Sequence, residues 1–245
     1  MVVKKPVPVV VWHDLECGSY RADLSLWREL ADAYPAGAIL DVGAGSGRVT
    51  LDLARRGRRV IALDHDPALL AALRQRAAGL DIETVCADAR SFQLPDDERL
   101  ALCIVPMQTI QLLGGAAGRA AFLRRARSQL RSGALLACAL VTDLEPFDYA
   151  TDGGLAPTPE VCRIEGTLYR SQPTRVQEGT DTITIERHRR VGDAAAVEQD
   201  LIELDRVSVA QLEREGAALN FHPQPARSIP TTADHAGSEV VMLRV

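Results

Sequence analysis

Three glycines at alternate positions, Gly43, Gly45 and Gly47, follow a short apolar run that ends in Asp41-Val42. Glycine reaches positive φ cheaply, and its missing Cβ lets a ligand lie directly on the backbone. A helix starting just after this turn would aim unpaired N–H groups and the positive end of its dipole at whatever occupies it. Strand, turn and helix together make a site for a carboxylate or phosphate at the carboxyl edge of a parallel sheet. Two further acids close apolar runs: Asp64 after Val60-Ile61-Ala62-Leu63, and Asp88 after residues 82–87. A carboxylate has acceptor capacity for two O–H donors. Asp64, ending the second strand, is thus placed to hold both hydroxyls of a ribose, and Asp88, ending the third, to accept from an adenine amino group.

The glycine spacing discriminates between ligands. A dinucleotide fingerprint, G-x-G-x-x-G, requires glycine at position 48, where this chain has Arg48. The G-x-G-x-G form introduced by Asp41, with Asp64, Asp88 and an apolar strand running into Val105-Pro106, resembles the cofactor motifs of class I S-adenosylmethionine-dependent methyltransferases over residues 38–142. The resemblance implies an α/β fold, a doubly wound, seven-stranded, mostly parallel sheet whose last strand is antiparallel. It also implies that Gly43 and Gly45 approach the methionine part of S-adenosylmethionine, with Asp41 near its amino group. Ala44 and Gly47 complete the turn, and His65 adjoins Asp64. The backbone at Ala89 lines the adenine, and the Val105 region passes close to the methionine end. No metal site is expected.

A sulfonium methyl is already activated, so the protein must mainly align a nucleophile behind it and exclude water. An amine needs only to arrive unprotonated, whereas a hydroxyl is helped by a base. No catalytic triad is required, and none is visible. Candidates on the substrate side follow the fourth strand: Met107, Gln108, Thr109 and Gln111. Gln108 leads them as a residue to orient a polar acceptor; Tyr20, His13 and His222 are the other candidate catalytic groups. The Asn/Asp-Pro-Pro-Tyr/Phe signature of many base-modifying amino methyltransferases is replaced by Pro106-Met107-Gln108. The expected acceptor is therefore a small molecule, methylated at nitrogen or oxygen. A nicotinamide-dependent oxidoreductase shares the Asp64 logic but fails at Arg48. A protein that holds the cofactor without catalysing transfer remains the other alternative. Removing the Asp64 carboxylate is expected to weaken cofactor binding and to spare the free protein, since a strand-end acid facing a cleft adds little to packing.

These residues need a scaffold, and the chain supplies one. A single domain over 1–245 is expected, with a cap region over 1–36, a cofactor-binding core over 37–142, an inserted antiparallel meander over 143–206 and a closing helix and strands over 207–245. Residues 1–19 carry little helical signal. From Tyr20 to Tyr34, Leu24, Trp27, Leu30 and Ala31 recur at helical spacing, with Asp23, Arg28 and Glu29 on the other side. Asp66-Pro67 caps the helix after the second strand. Alternating segments at 161–170, 180–190 and 197–206 form the meander, and Ser208 through Gln211 opens a late helix. The N-terminal helix and the meander are similar to features that cover the substrate in small-molecule members of the family.

The 245 residues are ample for one large core, and a net charge of -5 with scattered basic residues suggests no nucleic-acid partner. Arg55, Arg56, Arg58 and Arg59 fall at a predicted helix C-terminus, where cations complement the dipole. The five cysteines show no C-x-x-C pair; Cys86, Cys103 and Cys138 sit in apolar runs and read as small core residues. No apolar run approaches the roughly 20 residues a membrane helix requires. The stretch from Val7 to Trp12 has no cleavage site behind it. No membrane partner is expected, and a reducing cytoplasm is the natural compartment.

Overall fold

The structure is a computed structural model that describes residues 8–94, 100–151, 157–192, 196–232 and 235–245. In chain order the elements are α1 (Pro8–Cys17), α2 (Leu24–Ala33), β1 (Ile39–Val42), α3 (Arg48–Ala54), β2 (Val60–Asp64), α4 (Pro67–Arg76), β3 (Ile82–Cys86), β4 (Leu100–Val105), a 3-10 turn (Thr109–Leu112), α5 (Gly115–Gln129), β5 (Leu130–Leu140), β6 (Phe147–Asp148), β7 (Glu160–Ile164), β8 (Thr167–Glu178), β9 (Thr182–Val191), β10 (Glu198–Asp205), α6 (Val209–Ala217), β11 (His222–Ile229) and β12 (Ser238–Arg244). The chain divides into two compact units: Tyr20–Asp143 with Val207–Val245, and Met1–Ser19 with Leu144–Arg206.

The first unit carries a seven-stranded sheet in the order β11-β12-β5-β4-β1-β2-β3. β1 pairs in parallel with β2 and β4, β2 with β3, and β4 with β5, whereas β12 runs antiparallel to both β5 and β11. This is the doubly wound sheet expected, with the order reversing at β1, where open α/β sheets bind their ligands. β4 is Leu-Ala-Leu-Cys-Ile-Val and wholly buried, as a strand covered on both faces must be. Helix α2 buries Leu24, Trp27, Leu30 and Ala31 as their spacing predicts, and Leu26 in addition. Asp66 caps α4 by accepting from Ala68 and Leu69 N–H, and Ser208 caps α6 through Gln211 N–H.

The second unit is a five-stranded antiparallel sheet, β10-β9-β8-β6 with β7 on β8. Its first hairpin turns at Glu165 and Gly166, both with positive φ, inside the segment expected as one strand. β8 then runs on to Glu178 through Pro173, and a register shift between Pro173 and Arg175 absorbs the imino acid. Residues 8–17 are helical, against expectation. Pro8 suits a first helical position, and Trp12 packs edge-on to Tyr169 at 5.4 Å. Glu16 receives both arms of Arg189 at 2.6 and 2.7 Å and the Ser171 hydroxyl at 2.6 Å. Burial pushes the Glu16 pKa up, but these partners outweigh it and hold the group ionised.

All five cysteines are free thiols. Cys103 and Cys138 are buried, and burial pushes both thiols well above the usual thiol range. Cys86, expected in the core, is exposed, because β3 is the edge of its sheet and none of its five residues is buried. Among the described residues no helix is long and apolar enough to cross a membrane.

Candidate functional site

The glycine turn leaves β1 at the carboxyl edge. Gly43 and Ala44 N–H both donate to the Leu63 carbonyl on β2, at 2.9 and 3.1 Å, and all three glycines have positive φ. A Cβ at Gly43 would lie 2.5 Å from Thr109 Oγ1, and one at Gly47 would lie 2.3 Å from Leu73 Cδ1. The turn is thus wedged between the 3-10 segment after β4 and helix α4. Glycine at 43 and 47 is required by close approach of the protein to itself as well as by φ.

Asp41 sits on β1 beneath this turn, 1 % exposed. Its Oδ2 accepts from the Thr50 hydroxyl at 2.6 Å, whereas Oδ1 is buried without a hydrogen-bond partner among the described residues. Burial is the main cause that pushes its pKa up to about 7, with Asp23 and Asp64 adding repulsion and Thr50 and Arg48 opposing it. A buried acceptor left unmade costs about 1–3 kcal/mol, more for a charged group. A cationic N–H donor delivered by a ligand would remove that cost.

Asp64 is more deeply engaged than its sequence position suggests. Oδ2 accepts from Gly45 N–H at 2.8 Å and Oδ1 from Asp66 N–H at 2.9 Å, so the carboxylate ties the glycine turn to the end of β2. An ionised carboxylate has about four lone-pair sites, which leaves capacity for ligand hydroxyls. These two bonds hold the carboxylate to the free protein, where the sequence alone pointed to a strand-end acid facing a cleft. His65 is well exposed, with Nδ1 3.5 Å from Asp64 Oδ1. Asp88 is clasped by Arg90 through Nε and Nη2 and by its backbone N–H, and these bonds hold its pKa at about 2. Ala89 is half-buried and packs on the main core. The Asp88 carboxylate therefore already has a cationic neighbour.

Arg48, which sequence reasoning used only to exclude a dinucleotide, is central here. Its guanidinium grips Asp23 with two bonds of 2.6 Å, donates to the Tyr20 carbonyl at 3.0 Å and lies 5.1 Å from the Tyr20 ring centre. Asp23 was expected on the polar side of α2. It is buried instead, accepting also from Trp27 Nε1 at 2.8 Å. Tyr20 is buried, and desolvation followed by the Asp23 charge raises its phenol pKa.

At the carboxyl edge next to β1, Val105 ends β4 fully buried. Met107 follows with φ 55°, a left-handed conformation unusual for a non-glycine residue, so the chain leaves β4 by a strained step. Gln108 is half-buried there. Gln111, expected to face a substrate, is buried and spoken for: its amide donates to the Val141 carbonyl and accepts from Val141 N–H, at 3.1 and 2.9 Å. His222 stands opposite Arg244, and Arg244 opposite Leu135, whereas the carboxyl end of β5 lies at Leu140, opposite Glu239. His222 is thus at the amino edge of the sheet, away from the glycine turn. His13 lies on α1 in the second unit, 3.9 Å from Asp14.

The same register puts the β11–β12 turn at the carboxyl edge. It carries His235, which the sequence did not single out; its imidazole stacks on Tyr20 with ring centres 4.9 Å apart. No spacing rule could have joined residues 20 and 235.

Residues 39–133 match the family described as "Methyltransferase domain". Over its whole length the chain is similar to the sugar N-methyltransferase KedS8 from Streptoalloteichus sp ATCC 53650, with a TM-score of 0.73 at 19% identity, covering 98% of this chain and 93% of that one. The chain has the class I methyltransferase fold. This methyltransferase fold is shared with CalS10, an amino pentose methyltransferase from Micromonospora echinaspora solved with S-adenosylmethionine bound, at a TM-score of 0.69 and 20% identity over 96% and 95% of the two chains. Curated relatives of the methyltransferase domain match over shorter stretches. A probable ribosomal RNA small subunit methyltransferase A of Methanosarcina mazei is 38% identical over 71 residues, covering 29% of this chain and 26% of that protein. A probable cobalt-precorrin-6B C(15)-methyltransferase (decarboxylating) of Methanothermobacter thermautotrophicus is 32% identical over 133 residues, covering 51% and 65%. The chain spans about a quarter of the length of the first of these relatives.

Proposed function

We propose that this protein transfers a methyl group from S-adenosylmethionine to a nitrogen or oxygen of a small-molecule acceptor. The observation that carries the reading is the buried, unpartnered Oδ1 of Asp41 beside the glycine turn, a receptor for the amino group of the cofactor's methionine part. The donor set fits the rest of that ligand. Gly43 to Gly47 present backbone beside it, Asp64 keeps lone-pair sites for ribose hydroxyls, and half-buried Ala89 offers an apolar wall. When bound, the cofactor supplies a methyl group already activated by its sulfonium sulfur. Asp41, Asp64 and the turn then have only to bind and orient it, and Gln108, on the strained step after β4, to orient the acceptor.

A small acceptor is favoured over RNA by the scattered basic charge and by a whole-length likeness to a protein described as a sugar N-methyltransferase. The five free thiols support a reducing compartment such as the cytoplasm. The test is calorimetry with S-adenosylhomocysteine and with NADH, followed by methyl transfer to a panel of amino sugars, other small amines and alcohols, and ribosomal RNA. Binding of S-adenosylhomocysteine with transfer to a small amine or alcohol is expected. Binding of NADH alone, or transfer to RNA alone, overturns the reading.

A further inference from the structure

We propose that Tyr20 and His235 together form the subsite that receives the acceptor's amino or hydroxyl group, an inference that rests on the methyltransferase reading above. Both lie in the unit that carries the glycine turn. His235 stands on the β11–β12 turn at the carboxyl edge of the sheet, where Ile229 faces Ser238 and Glu239 faces Leu140. Its backbone is fixed on both sides by Thr232: His235 N–H donates to Thr232 Oγ1 at 3.1 Å, and Thr232 N–H donates to the His235 carbonyl at 2.9 Å. Tyr20 is held by Arg48, which binds its carbonyl and lies over its ring. The same arginine opens α3 directly after Gly47, so Tyr20 also belongs to the glycine-turn edge.

The two rings stack at 4.9 Å with an interplanar angle of 26°. Each presents a buried polar atom with no hydrogen-bond partner among the described residues, the Tyr20 hydroxyl and His235 Nε2. Ser238 lies near enough to lower the phenol pKa, yet no hydrogen bond of normal geometry reaches that oxygen. Buried polar atoms are almost always paired, so two orphans on one stacked pair point to a missing common partner. A phenol both donates and accepts, and a neutral imidazole nitrogen does one or the other. A ligand group that itself donates and accepts satisfies both at once, which describes an uncharged amine or a hydroxyl. An anion is disfavoured, because the adjacent guanidinium of Arg48 is already neutralised by Asp23. None of these atoms belongs to the residues assigned to the cofactor.

The test follows the imidazole resonances of histidine-labelled protein in the presence of S-adenosylhomocysteine, with His235→Gln assigning the His235 signals. 2-Aminoethanol and D-glucosamine are the probes. Either one is expected to move the His235 signals saturably. Tyr20→Phe, which keeps the stacked ring, should weaken that probe about fivefold, the fold-change of one lost hydrogen bond. S-Adenosylhomocysteine affinity should stay within about twofold in both variants. Normal S-adenosylhomocysteine binding with His235 silent toward both probes overturns the subsite and leaves the methyltransferase reading standing. Equal probe affinity in Tyr20→Phe removes Tyr20 from the proposal. Failure of the wild-type protein to bind S-adenosylhomocysteine overturns the parent reading and the subsite with it.

Discussion

Arg48 and Asp23 meet through two parallel bonds of 2.6 Å, Nη1 to Oδ1 and Nη2 to Oδ2, with the two side chains only 7% and 1% exposed. The pair joins the entry of α2 to the start of α3, one residue past the last glycine of the turn. Bidentate geometry makes the contact directional as well as charged. Removing one member leaves the other buried and uncompensated, a loss of about 3–5 kcal/mol for such pairs. Arg48→Met and Asp23→Asn should each lower the melting temperature sharply. The double variant should recover part of the loss, measured by thermal denaturation of all four proteins. Additive losses would show that the two side chains do not act as a pair.

The Asp41 carboxyl makes stability depend on pH. Its folded pKa of about 7 lies above an unfolded value of about 4. Between those values the folded chain binds more protons than the unfolded one, so stability falls as pH rises from about 4 to about 7 and levels off above. Asp41→Asn cannot ionise and should melt higher than wild type at pH 8, with little gain at pH 4.5. The same variant should bind S-adenosylhomocysteine more weakly. Calorimetry near pH 7 in two buffers of different ionisation enthalpy should register proton release when wild type binds and none when the variant does.

Asp64 has two tasks that two substitutions can separate. Asp64→Ala strips a bond from Gly45 N–H and another from Asp66 N–H. It should destabilise the free protein by about 1–3 kcal/mol and weaken S-adenosylhomocysteine by about 1.5–3 kcal/mol. Asp64→Asn keeps one acceptor oxygen and should lose less stability. Denaturant titration and calorimetry on both variants give the two numbers, and unchanged affinity would confine Asp64 to bracing the turn.

Gln108 and His222 make a contrasting pair across the sheet. Gln108→Ala should leave S-adenosylhomocysteine affinity within about 0.5 kcal/mol, as expected without contact. It should reduce turnover of an acceptor found by panel screening about tenfold, equivalent to roughly 1.4 kcal/mol. His222→Ala, at the amino edge, should change neither. Parallel loss of cofactor affinity and turnover in Gln108→Ala would move that residue to the cofactor side.

What the sequence revealed was what local chemistry dictates. The β1 turn, the apolar β4 and the Asp66 and Ser208 caps are written in neighbouring residues, and so is the apolar stripe of α2. What it hid depends on partners far along the chain. Pro-Val-Val-Val at residues 8–11 has poor helical character by itself, and α1 is secured by Trp12 on Tyr169 and Glu16 on Arg189. Asp23 looks like a surface residue until Arg48 is known to reach it. Gln111 looks like a substrate contact until its amide is found bonded to Val141, and the Tyr20–His235 stack is invisible for the same reason.

Strand β12 lies between β5 and β11, and Glu239 pairs with Leu140, about a hundred residues earlier. During synthesis β5 must wait for that partner while the whole of 144–206 is made. Its row of unpaired N–H and C=O groups, flanked by the apolar run Ala134 to Val141, stays open throughout. Unpaired strand edges and exposed apolar surface are the features that make incompletely folded chains prone to aggregate. The position of one short strand thus leaves an edge of β5 without its native partner until residues 238–244 are made.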